Sequence, residues 1–155
     1  MSLQFRKAIE TAIENNEEGE FFRKFPTGQC GNTSDILAQY FIDNGIKPII
    51  YVSGTYYGDN WDDQWSHAWL EVYGQIVDLT GDQFRCHKKP LQNNIPVYVG
   101  KMNSFYKSFD ICPESGHEHL GLEPKWSNYR ELMRTYHTIL KYLNNGITTM
   151  NRVTS

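Results

Sequence analysis

The chain has 155 residues and a formal net charge of −3, and it contains three cysteines. A chain of this length suits one domain, residues 1–155, which can bury a core without disulfides or metals. The mixed charge gives no basic footprint for nucleic acid, and no apolar run approaches the roughly 20 residues of a membrane span. The N-terminus lacks the apolar stretch of a signal peptide. We therefore expect a cytoplasmic protein with no nucleic-acid or membrane partner.

The first third of the chain predicts two helices and a strand. Apolar residues recur at helical spacing over residues 3–16 and again over residues 31–44. The short, β-branched segment 47–53 predicts a buried strand. The polar and aromatic segment 54–65 predicts a loop.

The rest of the chain predicts strands followed by a helix. Strands are predicted over residues 67–73 and 75–80, which flank Gly74, and also over residues 96–100 and 104–111.

A long C-terminal helix is predicted from Tyr129, with Gly146 just after its end. Two helices, then strands, then a helix indicate an α+β fold with a mostly antiparallel sheet.

The predicted hairpin brings a histidine and an aspartate together. A two-residue turn at 73–74 places Leu70 opposite Val77, and the apolar residues then share one face: Ala68, Leu70, Val72, Val77 and Leu79. His67 and Asp78 become diagonal neighbours on the other face, with Cα atoms roughly 7–8 Å apart. A slip of one residue would put Asp78 among the apolar side chains.

The His67 and Asp78 pair has two interpretations. A carboxylate bonded to one imidazole nitrogen fixes the tautomer and leaves the other nitrogen free to act as a base. Alternatively, His67 is a polar residue of the strand and Asp78 is solvated, since polar faces are common on antiparallel sheets.

Cys30 is the candidate nucleophile. It lies at the predicted start of the second helix, where unpaired N–H groups and the helix dipole favour a thiolate. The Cys30 amide is the first candidate for an oxyanion donor. The alternative is a small buried apolar side chain, as is usual for free cysteine. The flanking Gln29 and Gly31 are not typical of a core.

These three residues lie in a pattern that resembles a known superfamily. A helix-opening Cys30 is followed by HAWLEV (67–72) and then by VDLT (77–80). This order resembles the transglutaminase-like superfamily, a branch of the papain-like cysteine enzymes. The likeness covers roughly residues 25–84, and the GDQF segment (81–84) also occurs in bacterial members.

The resemblance implies a fold, a triad and a class of chemistry. The implied fold is a papain-like core in which the helix carrying Cys30 packs on the sheet. Cys30 would be the nucleophile, His67 the base and acid, and Asp78 the orienting carboxylate. Members hydrolyse or transfer amides as peptidases, glutamine deamidases, cross-linking transferases or arylamine acetyltransferases. We expect a thioester on Cys30, a protein, peptide or small amide substrate, and no cofactor. A non-catalytic binding or scaffold protein on the same fold is the alternative.

Five further residues are candidates for substrate or oxyanion contacts. Gln29 and Gln83 are candidate oxyanion donors. Trp61 and Trp65, just before the histidine, either wall an acyl-binding groove or cover the sheet, and Trp69 is a further candidate for a substrate contact.

A metal site is not expected. The cysteines and histidines that are candidates for zinc show none of the usual ligand spacings: Cys86, His87, Cys112, His117 and His119. The sequence does not indicate the oligomeric state.

Overall fold

The computed structural model describes the backbone of residues 1–153 and the side chains of residues 1–144. The described chain has the predicted α+β composition. Its elements are α1 (Ser2–Glu14), α2 (Cys30–Asp43), β1 (Ile49–Tyr57), β2 (Gln64–Val72), β3 (Gln75–Asp78), a 3₁₀ turn (Gly81–Phe84), β4 (Tyr98–Gly100), α3 (Ser104–Lys107), β5 (Asp110–Ile111), β6 (His117–Glu118) and α4 (Tyr129–Val153).

The strands form one antiparallel sheet with the order β4-β3-β2-β1-β5, and β6 also pairs with β1. The predicted hairpin register is confirmed, because Leu70 lies opposite Val77. Tyr73 and Gly74 have φ values of 52° and 74°. Positive φ at both turn residues gives the twist that a two-residue hairpin needs.

Both faces of the sheet are buried, which differs from the prediction of one polar face. Helices α1, α2 and α4 cover the face that carries Leu70 and Val77, here called the helical face. The opposite, aromatic face is covered by an aromatic cluster with small apolar neighbours. We define the aromatic cluster as Trp69, Phe84, Phe105, Tyr106 and Phe109. His67 and Asp78 therefore lie inside the protein, at 1% and 2% exposure.

The predicted loop over residues 54–65 is wrong at both ends. β1 continues to Tyr57 and β2 begins at Gln64, and these two residues form the last pair of the ladder. Aromatic and β-branched side chains such as Tyr56 favour the extended conformation despite their polar neighbours. Only residues 58–63 form the hairpin tip.

The predicted strand over residues 104–111 is wrong in its first half, where α3 forms instead. The Asn103 side chain caps this helix by accepting hydrogen bonds from the N–H groups of Phe105 at 2.9 Å and Tyr106 at 3.4 Å. A helical turn lets both of these adjacent side chains enter the aromatic cluster, whereas a strand would point them to opposite faces.

The predicted end of the last helix is also wrong, because α4 continues through Gly146 to Val153. One glycine costs a helix only about 0.5–1 kcal/mol relative to alanine, which does not by itself stop it. Within the described residues, no helix combines the length and the apolar character that crossing a bilayer requires.

Candidate active site

His67 and Asp78 form a buried hydrogen-bonded pair. His67 Nε2 lies 2.7 Å from Asp78 Oδ2, and the two side chains are 0% and 1% exposed. Three more donors hold the carboxylate: the Thr80 N–H at 2.8 Å, the Thr80 hydroxyl at 3.1 Å and the Tyr106 hydroxyl at 3.0 Å. The carboxylate is therefore fixed in position and can orient the imidazole. The alternative of a solvated Asp78 is excluded.

The aromatic cluster encloses the His67 ring. All five of its rings lie within 6.5 Å of the imidazole, centroid to centroid, with Phe84 nearest at 5.2 Å. The apolar wall excludes water from the His67 and Asp78 pair. Exclusion of water strengthens the attraction between an imidazolium and a carboxylate.

The charges of this pair shift both pKa values. Burial alone lowers the pKa of His67, but the charge and hydrogen bond of Asp78 outweigh it and raise the pKa to about 9. Burial alone raises the pKa of Asp78, but the charge and hydrogen bond of His67 outweigh that effect and lower it. The site therefore favours an imidazolium beside a carboxylate.

Cys30 is the first residue of α2 and is half-buried. Its thiol lies close to the His67 imidazole, the Ala68 backbone and the Gln83 side chain, each of which lowers the pKa of the thiol. Burial raises the pKa of the thiol, but the hydrogen bond and charge of His67 outweigh it, so the pKa lies below its ordinary value. The structure thus brings the predicted nucleophile to the predicted base.

Cys30 lies beside a part of β2 that β3 does not cover. β3 ends at Asp78, whereas the antiparallel β2 extends past that point to its own first residue, Gln64. The Ala68 backbone on β2 lies close to the Cys30 sulfur. The N-terminus of α2 thus reaches β2 next to His67, and the free N–H groups of its first turn lie beside the thiol.

Gln83 connects the imidazole to the loop before α2. Its Oε1 accepts a hydrogen bond from the Gly28 N–H at 3.2 Å, and its Nε2 lies 2.9 Å from His67 Nδ1. Because the backbone N–H can only donate, the amide oxygen must face Gly28 and the amide nitrogen must face His67. Nδ1 then accepts, which describes the neutral ring.

The neutral ring and the raised pKa of His67 oppose one another. The Gln83 amide favours an unprotonated Nδ1, whereas Asp78 favours the imidazolium. Hydrogen bonds to an ionised partner are roughly twice as strong as neutral ones, so Asp78 has the larger influence. When His67 takes the proton of Cys30, the Gln83 amide must release Nδ1.

Arg6 supports the site from behind, and sequence analysis missed it. Its guanidinium donates to the Leu79 carbonyl at 2.6 Å and binds both carboxylate oxygens of Asp82 at 2.9 Å. Leu79 follows Asp78, and Asp82 precedes Gln83. Arg6 therefore ties down the backbone next to two site residues. In the sequence it resembles an ordinary polar residue of an amphipathic helix, and only its long-range partners reveal its position.

The remaining polar candidate, Gln29, lies just before α2 and is half-buried. Its Oε1 accepts a hydrogen bond from the Asn32 amide at 3.0 Å. Gln29 is therefore near the nucleophile, but its carbonyl is directed along the first turn of the helix.

The three candidate tryptophans have different environments. Trp61 lies at the hairpin tip and is 87% exposed, while Trp69 is fully buried and belongs to the aromatic cluster. Trp65 is two residues before His67 on β2 and lines a cleft of about 420 Å³. The cleft is lined by Tyr56, Asp63, Trp65, Cys86, His87, Lys88, Lys89 and Leu91. Only Trp65 has the position of a groove wall.

The two histidines of the segment 117–119 have other partners. His119 Nε2 lies 3.1 Å from Asp35 Oδ1, and its Nδ1 accepts the N–H of Gly121 at 3.0 Å. The ring of His117 stacks on Tyr51, with 6.0 Å between centroids. Among the residues that the structure describes, no three His, Cys, Asp or Glu side chains are grouped to hold a metal.

Comparison of the chain with protein-family models, with curated protein sequences and with solved structures finds no match. The assignment of a function therefore depends on the geometry and the chemistry of the site.

Proposed function

We propose that the chain is a cysteine-dependent acyl-transfer enzyme with a transglutaminase-like, papain-like core. Cys30 is the nucleophile, His67 the base and acid, and Asp78 the orienting carboxylate. The observation that supports this proposal most directly is that the His67 ring lies between the carboxylate of Asp78 and the thiol of Cys30. Nε2 is held by a buried carboxylate at 2.7 Å, while the ring also lies close to a thiol at the start of a helix.

The proposed reaction needs no group beyond these side chains. Cys30 passes its proton to His67, and the thiolate attacks a carbonyl carbon while the carbonyl electron pair moves to oxygen. Collapse of this intermediate re-forms the carbonyl and breaks the C–N bond, and the leaving amine takes the proton from His67. Water or a second amine then attacks the thioester carbonyl and gives its proton to His67, the C–S bond breaks to release the acyl product, and His67 returns the proton to the Cys30 thiolate.

The proposed substrate is an amide of a protein, a peptide or a small molecule. The cleft beside Trp65 supports this choice, because Trp65 and His67 lie on the same strand and the same sheet face, roughly 7 Å apart along the chain. The aromatic wall of this cleft and the two lysines that line it suit an acyl group with apolar and polar parts. The rival proposal, a binding or scaffold protein, would leave the thiol without a reaction.

Trapping of the acyl group tests the proposed function. Purified wild-type protein and the Cys30→Ala variant are incubated with cell lysate, and the peptide that contains residue 30 is analysed by mass spectrometry. We expect an acyl adduct on Cys30, lost after treatment with hydroxylamine, and no adduct in the variant. If the wild-type protein carries no adduct on Cys30, while Cys86 and Cys112 react as ordinary thiols, the result favours the scaffold alternative.

A further inference from the structure

We propose that the hydroxyl of Tyr51, together with the backbone N–H of Cys30, stabilises the oxyanion that forms when Cys30 attacks a carbonyl. This inference rests on the proposed function, because it assigns a donor to that reaction. An acyl-transfer site needs preorganised donors where negative charge develops. The first turn of α2 offers backbone N–H groups, and the side-chain donor has to be identified.

Tyr51 lies beside the N-terminal end of α2, which carries Cys30. It belongs to β1 and points to the helical face, where its hydroxyl lies 3.4 Å from the position that a Cβ on Gly31 would take. Gly31 directly follows the nucleophile Cys30. The Tyr51 hydroxyl therefore lies beside the first turn of α2, one residue from the nucleophile.

The Tyr51 hydroxyl is free to donate. It forms no hydrogen bond within the part of the chain whose side chains are described, although the phenol is more than half buried. Burial raises the pKa of Tyr51, and the negative charges of Asp35 and Cys30 raise it further. The phenol therefore keeps its proton at any pH at which the enzyme would work, as a hydrogen-bond donor must.

The Tyr51 ring is held in place. His117 stacks on it at 6.0 Å between centroids, and His119 packs against it at 6.4 Å. The backbone carbonyl of Tyr51 accepts the N–H of Gly116 at 2.8 Å. A fixed donor costs little reorganisation during the reaction, which is the property that makes such a group effective.

Of the two glutamines suggested by the sequence, Gln83 is the less suitable donor. The amide nitrogen of Gln83 faces both His67 and the Cys30 thiol, and its oxygen accepts from Gly28. The Tyr51 hydroxyl has no such competing partner in the described chain. Gln29 lies beside the nucleophile and uses its carbonyl to accept from Asn32, which leaves its amide nitrogen able to donate, so Gln29→Ala is included in the test.

Two reactions of Cys30 separate an oxyanion donor from a structural residue. Acylation by p-nitrophenyl acetate passes through a tetrahedral oxyanion, and release of p-nitrophenolate measures it after subtraction of the Cys30→Ala rate. Alkylation by iodoacetamide forms no oxyanion and depends on the thiolate alone. The variants are Tyr51→Phe, Gln29→Ala and, as a matched control, Tyr40→Phe. Tyr40 is also half-buried and lies on α2, where it packs on Phe5.

We expect Tyr51→Phe to lower the acylation rate about 10²-fold, at the lower end of the loss for one oxyanion donor. Alkylation should stay within about twofold of wild type, because the thiolate is unchanged. Tyr40→Phe should change neither rate. The inference would be overturned by a wild-type acylation rate in Tyr51→Phe or by an equal fall of its acylation and alkylation rates. It would also be overturned if the acylation rate fell strongly only in Gln29→Ala. If wild-type Cys30 reacts with neither reagent faster than Cys86 does, the proposed function fails and the inference fails with it.

Discussion

The structure contains two histidine–aspartate pairs that differ in what surrounds them. His67 lies 2.7 Å from Asp78, with both side chains at most 1% exposed. His119 lies 3.1 Å from Asp35, whose side chain is 20% exposed. Both pairs lie near α2, one at its start and the other about one turn further along. The hairpin pattern predicted the first pair from the sequence, whereas the residues of the second pair are 84 apart and no sequence pattern indicated that they meet.

The second ring nitrogen distinguishes the two pairs. Nδ1 of His119 accepts a backbone N–H from Gly121, so both of its nitrogens are occupied by structural partners. The other side of the His67 ring faces a thiol and a side-chain amide, neither of which belongs to the backbone. The two pairs therefore differ in whether the second nitrogen meets a group that could react, which is the basis of the proposed function.

The largest expected effect comes from replacing each histidine in turn. His67→Gln removes the partner of the Cys30 thiolate and the group that returns the proton. We expect acylation by p-nitrophenyl acetate to fall about 10²–10⁴-fold, the usual contribution of general acid–base catalysis. His119→Gln should keep alkylation of Cys30 by iodoacetamide close to wild type, because this reaction forms no oxyanion, and should lower the melting temperature.

Circular dichroism of both variants provides the control for folding. A folded His67→Gln protein with wild-type acylation would show that the two pairs are equivalent, contrary to the comparison. A strong loss of Cys30 alkylation in His119→Gln, with a native spectrum, would show the same.

The next effect comes from replacing the two aspartates. Asp78→Asn removes the charge that raises the pKa of His67 most. The pKa of His67 then falls, less imidazolium is present to stabilise the thiolate, and the pKa of Cys30 rises. We expect alkylation of Cys30 to fall at pH 6.5 and to recover at high pH. Acylation should fall by less than the roughly 10⁴-fold that the serine-protease template shows, because a thiol needs less activation than a serine.

Asp35→Asn is the matched control, because it changes the other pair in the same way. Its alkylation profile should follow that of the wild type. An unchanged profile in Asp78→Asn, or equal shifts in the two variants, would contradict the assigned role of Asp78.

The smallest expected effect concerns stability and pH. The pKa of His67 is raised to about 9 in the folded state, from about 6.5 in the unfolded chain. Protonated His67 therefore adds to the free energy of unfolding below about pH 6.5, and this contribution is lost as the pH rises through about 9. The lowered pKa of Cys30 acts in the opposite direction in the same range. The measurement is therefore made in a Cys30→Ala background, with and without His67→Gln.

Urea unfolding at pH 6 and at pH 9.5 gives the difference between these two proteins. We expect the His67 protein to lose on the order of 1–3 kcal/mol more of its free energy of unfolding than the His67→Gln protein does over this range. Equal losses would show that Asp78 does not stabilise the imidazolium.

The sequence was sufficient to predict the hairpin that positions His67 and Asp78. Its apolar alternation allowed one register, which placed His67 and Asp78 on one face, and the turn at residues 73–74 fixed that register. The start of α2 at Cys30 was also predictable, because Pro26 and Gly28 mark a loop before it. Local patterns determine these features, and local patterns can be read from one chain.

The support around the pair depends on long-range packing and could not be predicted. Tyr106 binds Asp78 from a helix 28 residues away, in a segment whose alternation suggested a strand. Arg6 reaches Asp82 across 76 residues. The burial of the second sheet face also follows from the aromatic cluster, whose residues have no common local pattern.

The most direct test of the account is the pH profile of alkylation at all three cysteines of the wild-type protein in one sample. Iodoacetamide adducts on Cys30, Cys86 and Cys112 are quantified by mass spectrometry between pH 5 and pH 10. The account predicts that Cys30, although half-buried, reacts faster at neutral pH than the exposed Cys86, with an apparent pKa below the free value of about 8.5. A Cys30 that reacts no faster than the other two, and shows no apparent pKa below that value, would contradict the account.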